Sequence, residues 1–129
     1  MSAEKCRENL ERIHMTIVLK PELIEELTKE VVGKVGEAGL KAFPRADGYA
    51  FMKNEIVGVL GLPHLRYAVV EDKAMVWVRA PYKLSEELLA MAGFKVEEYC
   101  REIIESAKKL AEAFEKYKSK ALGLLIELP

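Results

Sequence analysis

Glutamine is absent from this 129-residue chain, tryptophan occurs once, and asparagine, aspartate, cysteine and histidine occur twice each. A shortage of heat-labile amides is expected in a protein from a heat-adapted source. The two histidines, His14 and His64, have no His or Cys neighbour at ligand spacing, and no H-E-x-x-H pattern occurs, so no metal site is expected. Cys6 and Cys100 form no C-x-x-C pair and have no third or fourth cysteine to complete a zinc site. Small buried hydrophobes are their expected role, and a disulfide between them is the alternative that spacing leaves open.

Long apolar runs are also missing. No stretch approaches the roughly 18 apolar residues of a membrane helix, and the charged N-terminal segment does not read as a secretory signal, so a cytoplasmic protein without membrane partners is expected. Catalytic signatures are missing too. Gly33, Gly36 and Gly39 repeat at regular spacing, but they close a helical pattern and do not open one after a strand, so they do not form a phosphate cradle. Asp47 and Asp72 sit beside turn signals, and no G-x-S-x-G elbow occurs. Neither an enzyme nor a cofactor is expected.

Half of the residues are apolar and about a third are charged, which describes a packed core under a charged skin. The length suits one domain spanning residues 1–129. Cys6, Leu10 and Ile13 recur at helical spacing behind Ser2. Residues 15–20 are rich in β-branched side chains and run into Pro21, which opens a helix carrying Leu23, Ile24, Leu27, Val31 and Val35 on one face. Residues 39–48 hold turn formers without a period and read as a loop. Residues 49–53 read as a strand, and the following segment from Asn54 to Gly61 as either a short helix or extended chain. Residues 65–70 and 74–80 form the clearest unit, a β-hairpin around Glu71, Asp72 and Lys73. Ser85 caps a short helix that Gly93 ends, and a long final helix spans about 95–121. The expected fold is α+β, with a small antiparallel sheet of three or four strands packed against helices.

Net charge is -1, which gives no overall attraction to nucleic acid. Its distribution is uneven. Residues 41–83 hold seven Lys and Arg against four acids, a local +3, and six of the ten aromatic residues. Pairing Val70 with Ala74 in the hairpin sets Tyr67 opposite Trp77, and Tyr49, Phe51 and Lys53 alternate onto one face of the earlier strand. One sheet surface would then carry Tyr49, Phe51, Tyr67, Trp77 and Tyr82, edged by Lys53, Arg66, Arg79 and Lys83. Rings of this kind stack on bases while the cations follow phosphates, so sequence-nonspecific binding of single-stranded DNA or RNA is the expected function. Burial of the same rings in the core is the ordinary alternative, and a shift of register by one residue decides between them.

The final helix carries Val96, Cys100, Ile103, Ala107, Leu110, Phe114, Tyr117 and Ala121 at alternating spacings of four and three. Ile104 and Ala111 widen that stripe toward packing on the sheet. The last turns and the apolar tail, through Leu110, Phe114, Tyr117, Ala121 and Leu124, are the expected joint of a homodimer. This layout, a small sheet-and-helix unit with clustered aromatics before a long C-terminal helix, resembles the ThermoDBP group, single-stranded DNA-binding proteins of heat-loving archaea. The resemblance implies a dimerising C-terminal helix and a nucleic-acid partner, and it rests on arrangement, without a diagnostic motif. Residues 75–109 also resemble a ribbon-helix-helix DNA-binding unit, although the preceding hairpin strand conflicts with it. Two other classes stay open: an assembly subunit using the helix and tail, and a small-molecule binder with Tyr49, Tyr82 or Arg79 in its pocket.

Overall fold

A computed structural model describes residues 2–52, 64–79, 86–91 and 93–129 of the chain. Helix α1 (Ala3–Glu11) starts where the Ser2 side chain accepts a hydrogen bond from the Lys5 amide at 3.1 Å. Strand β1 (His14–Leu19) follows, and a single 3-10 turn opened by Pro21 leads into α2 (Ile24–Glu37). Strands β2 (Lys41–Arg45), β3 (Gly48–Met52), β4 (His64–Val70) and β5 (Lys73–Arg79) come next. Helix α3 (Glu86–Met91), helix α4 (Val96–Lys116) and strand β6 (Gly123–Glu127) complete the order. Gly93 takes a left-handed φ of 81° just past α3, the conformation that makes glycine a helix stop.

The strands form one antiparallel sheet in the order β2-β3-β4-β5-β1-β6. It is α+β as expected, with six strands among the described residues in place of three or four. The two additional strands are the edges. β2 lies in the segment expected to be a loop, because Pro44 and the neighbouring turn formers mask a strand that needs pairing on one side only. β6 lies in the apolar tail. The helical pattern was expected to run to Ala121, but α4 stops at Lys116, and a 3-10 turn over Lys118–Lys120 redirects the chain.

Strand alternation divides the sheet. Met15, Ile17 and Leu19 of β1, Ala74, Val76 and Val78 of β5, Leu65 of β4 and Phe51 of β3 are all buried on the face that joins the helices in one core. α4 covers that core with Ile103, Ala107, Leu110 and Phe114, each fully buried. Leu110 and Phe114 were expected at a dimer joint; they are instead part of this chain's own interior. Tyr117 and Ala121 pack partly against the same core, and Leu124 reaches it from β6. Three ion pairs cross the seam between α2 and α4, from Lys34 to Glu112, Lys109 to Glu37 and Lys116 to Glu30, at 3.5, 3.5 and 3.0 Å. They are partly exposed and orient the helices more than they stabilise them.

Cys6 on α1 and Cys100 on α4 form a disulfide, with Cα atoms 5.8 Å apart. The alternative to simple burial is thus the one realised, and both cysteines are also fully buried. The bond closes a sequence separation of 94 residues and ties the first helix to the last.

Two predictions follow from this packing. Closing so long a loop removes unfolded-state entropy worth roughly 4 kcal/mol. Denaturant unfolding with and without reductant should therefore show a large fall in midpoint on reduction; an unchanged midpoint contradicts the bond. Gly48, at φ 154°, lies so close to β4 that a Cβ there would run into the Leu65 carbonyl oxygen. Gly48→Ala should cost more than about 2 kcal/mol in the same assay.

Candidate nucleic-acid interface

The second face of the sheet is exposed over much of β2, β4, β5 and β6, whereas Gly48 and Ala50 of β3 are buried on it. Met75 and Leu125 are each 47% exposed and Val70 is 69% exposed. Among the described strands every Lys and Arg points to this face, and the reason is the period of two. Lys41 and Arg45 flank Phe43 on β2; Arg66 alternates with buried Leu65 on β4; Lys73 and Arg79 alternate with buried Ala74, Val76 and Val78 on β5. Five strand cations thus face one strand carboxylate, Glu127, for a balance of +4. The four helices hold eight Lys and Arg against fifteen Glu, or -7. Strands and helices thus carry opposite net charge, although Asp47, Glu71 and Asp72 in the turns joining β2 to β3 and β4 to β5 lower the sheet's balance to +1.

Cross-strand pairing lines up one row on the open face, running Arg45, Gly48, Arg66, Trp77, Thr16 and Leu125 from β2 to β6. Trp77 is half-buried at its centre. Gly48 contributes no side chain, and none would fit there, because a Cβ would run into the Leu65 carbonyl oxygen of β4. Adjacent strands lie about 4.8 Å apart, which sets the two arginines roughly 10 Å apart at their Cα atoms. A second row carries His64, Arg79, His14 and Glu127.

Arg66 has a competitor for phosphate already in place. Its Nε lies 3.8 Å from Asp47 Oδ2, in the turn between β2 and β3, and the Asp47 carbonyl accepts a hydrogen bond from the Tyr67 amide at 2.9 Å. The ion pair is largely exposed, so it holds the guanidinium over the face without neutralising it strongly. His14 Nε2 and Thr16 Oγ1 are 3.2 Å apart on β1.

The expected site is only partly brought together. Arg66, Trp77 and Arg79 share the open face. Tyr67 does not join them: Val70 pairs with Lys73, one residue earlier than expected, so Tyr67 lies opposite Val76 and packs partly against the core. Phe51 is fully buried on the helix side, and Tyr49 packs partly against the same core. Lys53, Tyr82 and Lys83 lie outside the described residues, as does the segment from Asn54 to Gly61. Met75 shares the face with Trp77 and Arg79 as alternation predicts, and the face adds Lys41, Phe43, Arg45, His14, Thr16, His64 and Leu125, which were not expected there. A signal for the register was present in Arg66 itself. Had Tyr67 turned outward, Arg66 would have pointed beneath the helices, where a guanidinium without a partner costs far more than an exposed tyrosine ring.

Among the described residues no group of three or more His, Cys, Asp or Glu is placed to hold a metal, and no helix is long and apolar enough to cross a membrane. A cleft of about 300 Å³ opens elsewhere, between the end of α2 and α4, beside Leu40, Arg101, Glu105 and Lys109. Lys109 there is already paired with Glu37 and Glu112. No family model, curated protein or solved structure matches this chain.

Burial pushes the His64 imidazole below its usual pKa, and the nearby Arg66 and Arg45 push it further, against a smaller opposing pull from Asp47. The unfolded chain therefore takes up this proton at higher pH than the folded one. Stability present above the usual imidazole range is lost as pH falls through that range to the lowered folded value. Urea unfolding at neutral pH and at about pH 5 should show an acid-side loss that shrinks in His64→Gln; an identical loss in the variant contradicts the assignment.

Proposed function

We propose that this protein binds single-stranded nucleic acid, without sequence preference, on the open face of its sheet, and that it works as a binding protein and not as an enzyme. The supporting observation is the row in which Arg45, Arg66 and Trp77 follow one another across β2, β4 and β5, with Lys41, Lys73 and Arg79 around it. An indole among guanidinium groups suits a base stacked on the ring with flanking phosphates held by the cations. The acidic helices on the far side repel the same polyanion and so favour one orientation of approach. Among the described residues no helix rises from this face to enter a duplex groove, which favours unpaired strands.

This interface is smaller and less aromatic than the one expected from sequence. Trp77 is the central stacking ring and Phe43, half-buried on the edge strand, is the second on the open face.

Fluorescence titration of labelled single strands in low and moderate salt tests the reading. Trp77→Ala should weaken binding roughly 5- to 150-fold, the range that stacking of one base supplies. Arg66→Ala and Arg79→Ala should each reduce the slope of log affinity against log salt by about 0.7. Asp47→Asn, which releases Arg66, should tighten binding, and Tyr67→Phe, on the helix side, should leave it unchanged. Absence of binding at low salt, or full affinity in Trp77→Ala, overturns the proposal.

A further inference from the structure

The two edges of the sheet are built differently. β2 is guarded: Pro44 interrupts its hydrogen-bonding capacity, and Lys41 and Arg45 place charges along it. β6 reads Gly-Leu-Leu-Ile-Glu, with no proline, lysine or arginine within the strand and a single charge at its far end. Among the described strands it pairs with β1 on one side and ends the order on the other. Leu125 is 47% exposed and the preceding Leu122 is 59% exposed. An apolar edge with unpaired backbone groups is a template for another strand.

We propose that β6 pairs antiparallel with β6 of a second copy of this chain, about a two-fold axis at Leu125. The strand is complementary to itself in that register. Leu125 meets its twin on the open face, Leu124 meets Ile126 on the helix face, and Leu122 meets Leu128 beyond the strand end, so like faces coincide. The charges agree as well. Glu127 lies opposite Gly123 and about 13 Å from its twin, so no carboxylates are forced together. Each Glu127 instead falls at the end of the partner strand that follows Lys118 and Lys120, both exposed. A second copy offering β2 instead would bring Pro44 to the ladder and would leave an open-ended chain of copies.

The axis runs perpendicular to the sheet, so both open faces point the same way in a continuous twelve-stranded surface. Val18, Met75 and Leu125 of the two copies form an apolar centre between two basic flanks. The contact is small, which places it among concentration-dependent dimers. It does not depend on what the open face binds.

Sedimentation equilibrium of the full chain over a concentration series, with no nucleic acid present, tests the pairing. The mass should rise from 14.6 kDa toward twice that value. Leu125→Lys, which sets two ammonium groups face to face at the axis, should shift the monomer-dimer midpoint at least about tenfold with an unchanged circular dichroism spectrum. Under mild oxidation Leu125→Cys should cross-link to itself, whereas Lys41→Cys on the opposite edge should not; the native cysteines are already bonded to each other. The cross-link carries the test should Leu125→Lys fail to fold. A monomeric mass throughout, undiminished dimer in a folded Leu125→Lys, or cross-linking through position 41 instead overturns the proposal.

Discussion

The turn that joins β4 to β5 governs the rest of the molecule. Only Glu71 and Asp72 separate Val70 from Lys73, and Glu71 accepts a left-handed φ of 57° to close the turn so tightly. A side chain in that conformation costs about 1 kcal/mol. The register it fixes decides which residues of two strands meet the helices. Leu65 and Tyr67 alternate inward with Ala74, Val76 and Val78, and Arg66 comes to face Trp77. Because the strand period is two, a slip of one residue would exchange the two sets and drive Arg66 toward the core. Avoiding that burial outweighs the cost of the turn by a wide margin.

Charge follows the same alternation. β1 and β3 hold no Lys, Arg, Asp or Glu, and the strands that do hold them place every one on the open side. The helices present carboxylates to solvent and meet lysines across the seam between α2 and α4. Summed over the chain these nearly cancel, which is why a total of -1 says little about partners. What matters for a polyanion is the local field over the face it approaches. The single-strand binding proposed for this protein rests on that local field and not on the overall composition.

Local chemistry made much of the fold legible. Ser2 as a cap, Pro21 at a helix start, Gly93 as a stop and the inward stripe of α4 all declare themselves in short windows of sequence. Both edge strands escaped because their signals are weak by construction. An edge strand tolerates Pro44, and the apolar tail continues the spacing of the preceding helix until Lys118–Lys120 turns the chain away. The disulfide stood as one of two open alternatives, because residues separated by 94 positions meet only through the packing of α1 on α4. In the site, Trp77 and Arg79 were legible from alternation within one strand. Tyr67 was not, since its direction depends on a pairing between strands, and Phe43 and Arg45 were not, since their strand was not expected.

Everything proposed for the open face depends on Trp77 and the arginines beside it being the surface that meets the ligand. The most direct measurement is an isotope-edited NMR titration with a short oligothymidylate, following the Trp77 indole N–H together with the backbone amides. The account predicts that the indole signal and the amides of Arg45, Arg66, Thr16 and Arg79 shift together and saturably, while those of α2 and α4 stay in place. Shifts confined to the helices, or an indole signal indifferent to saturating oligonucleotide, would contradict it.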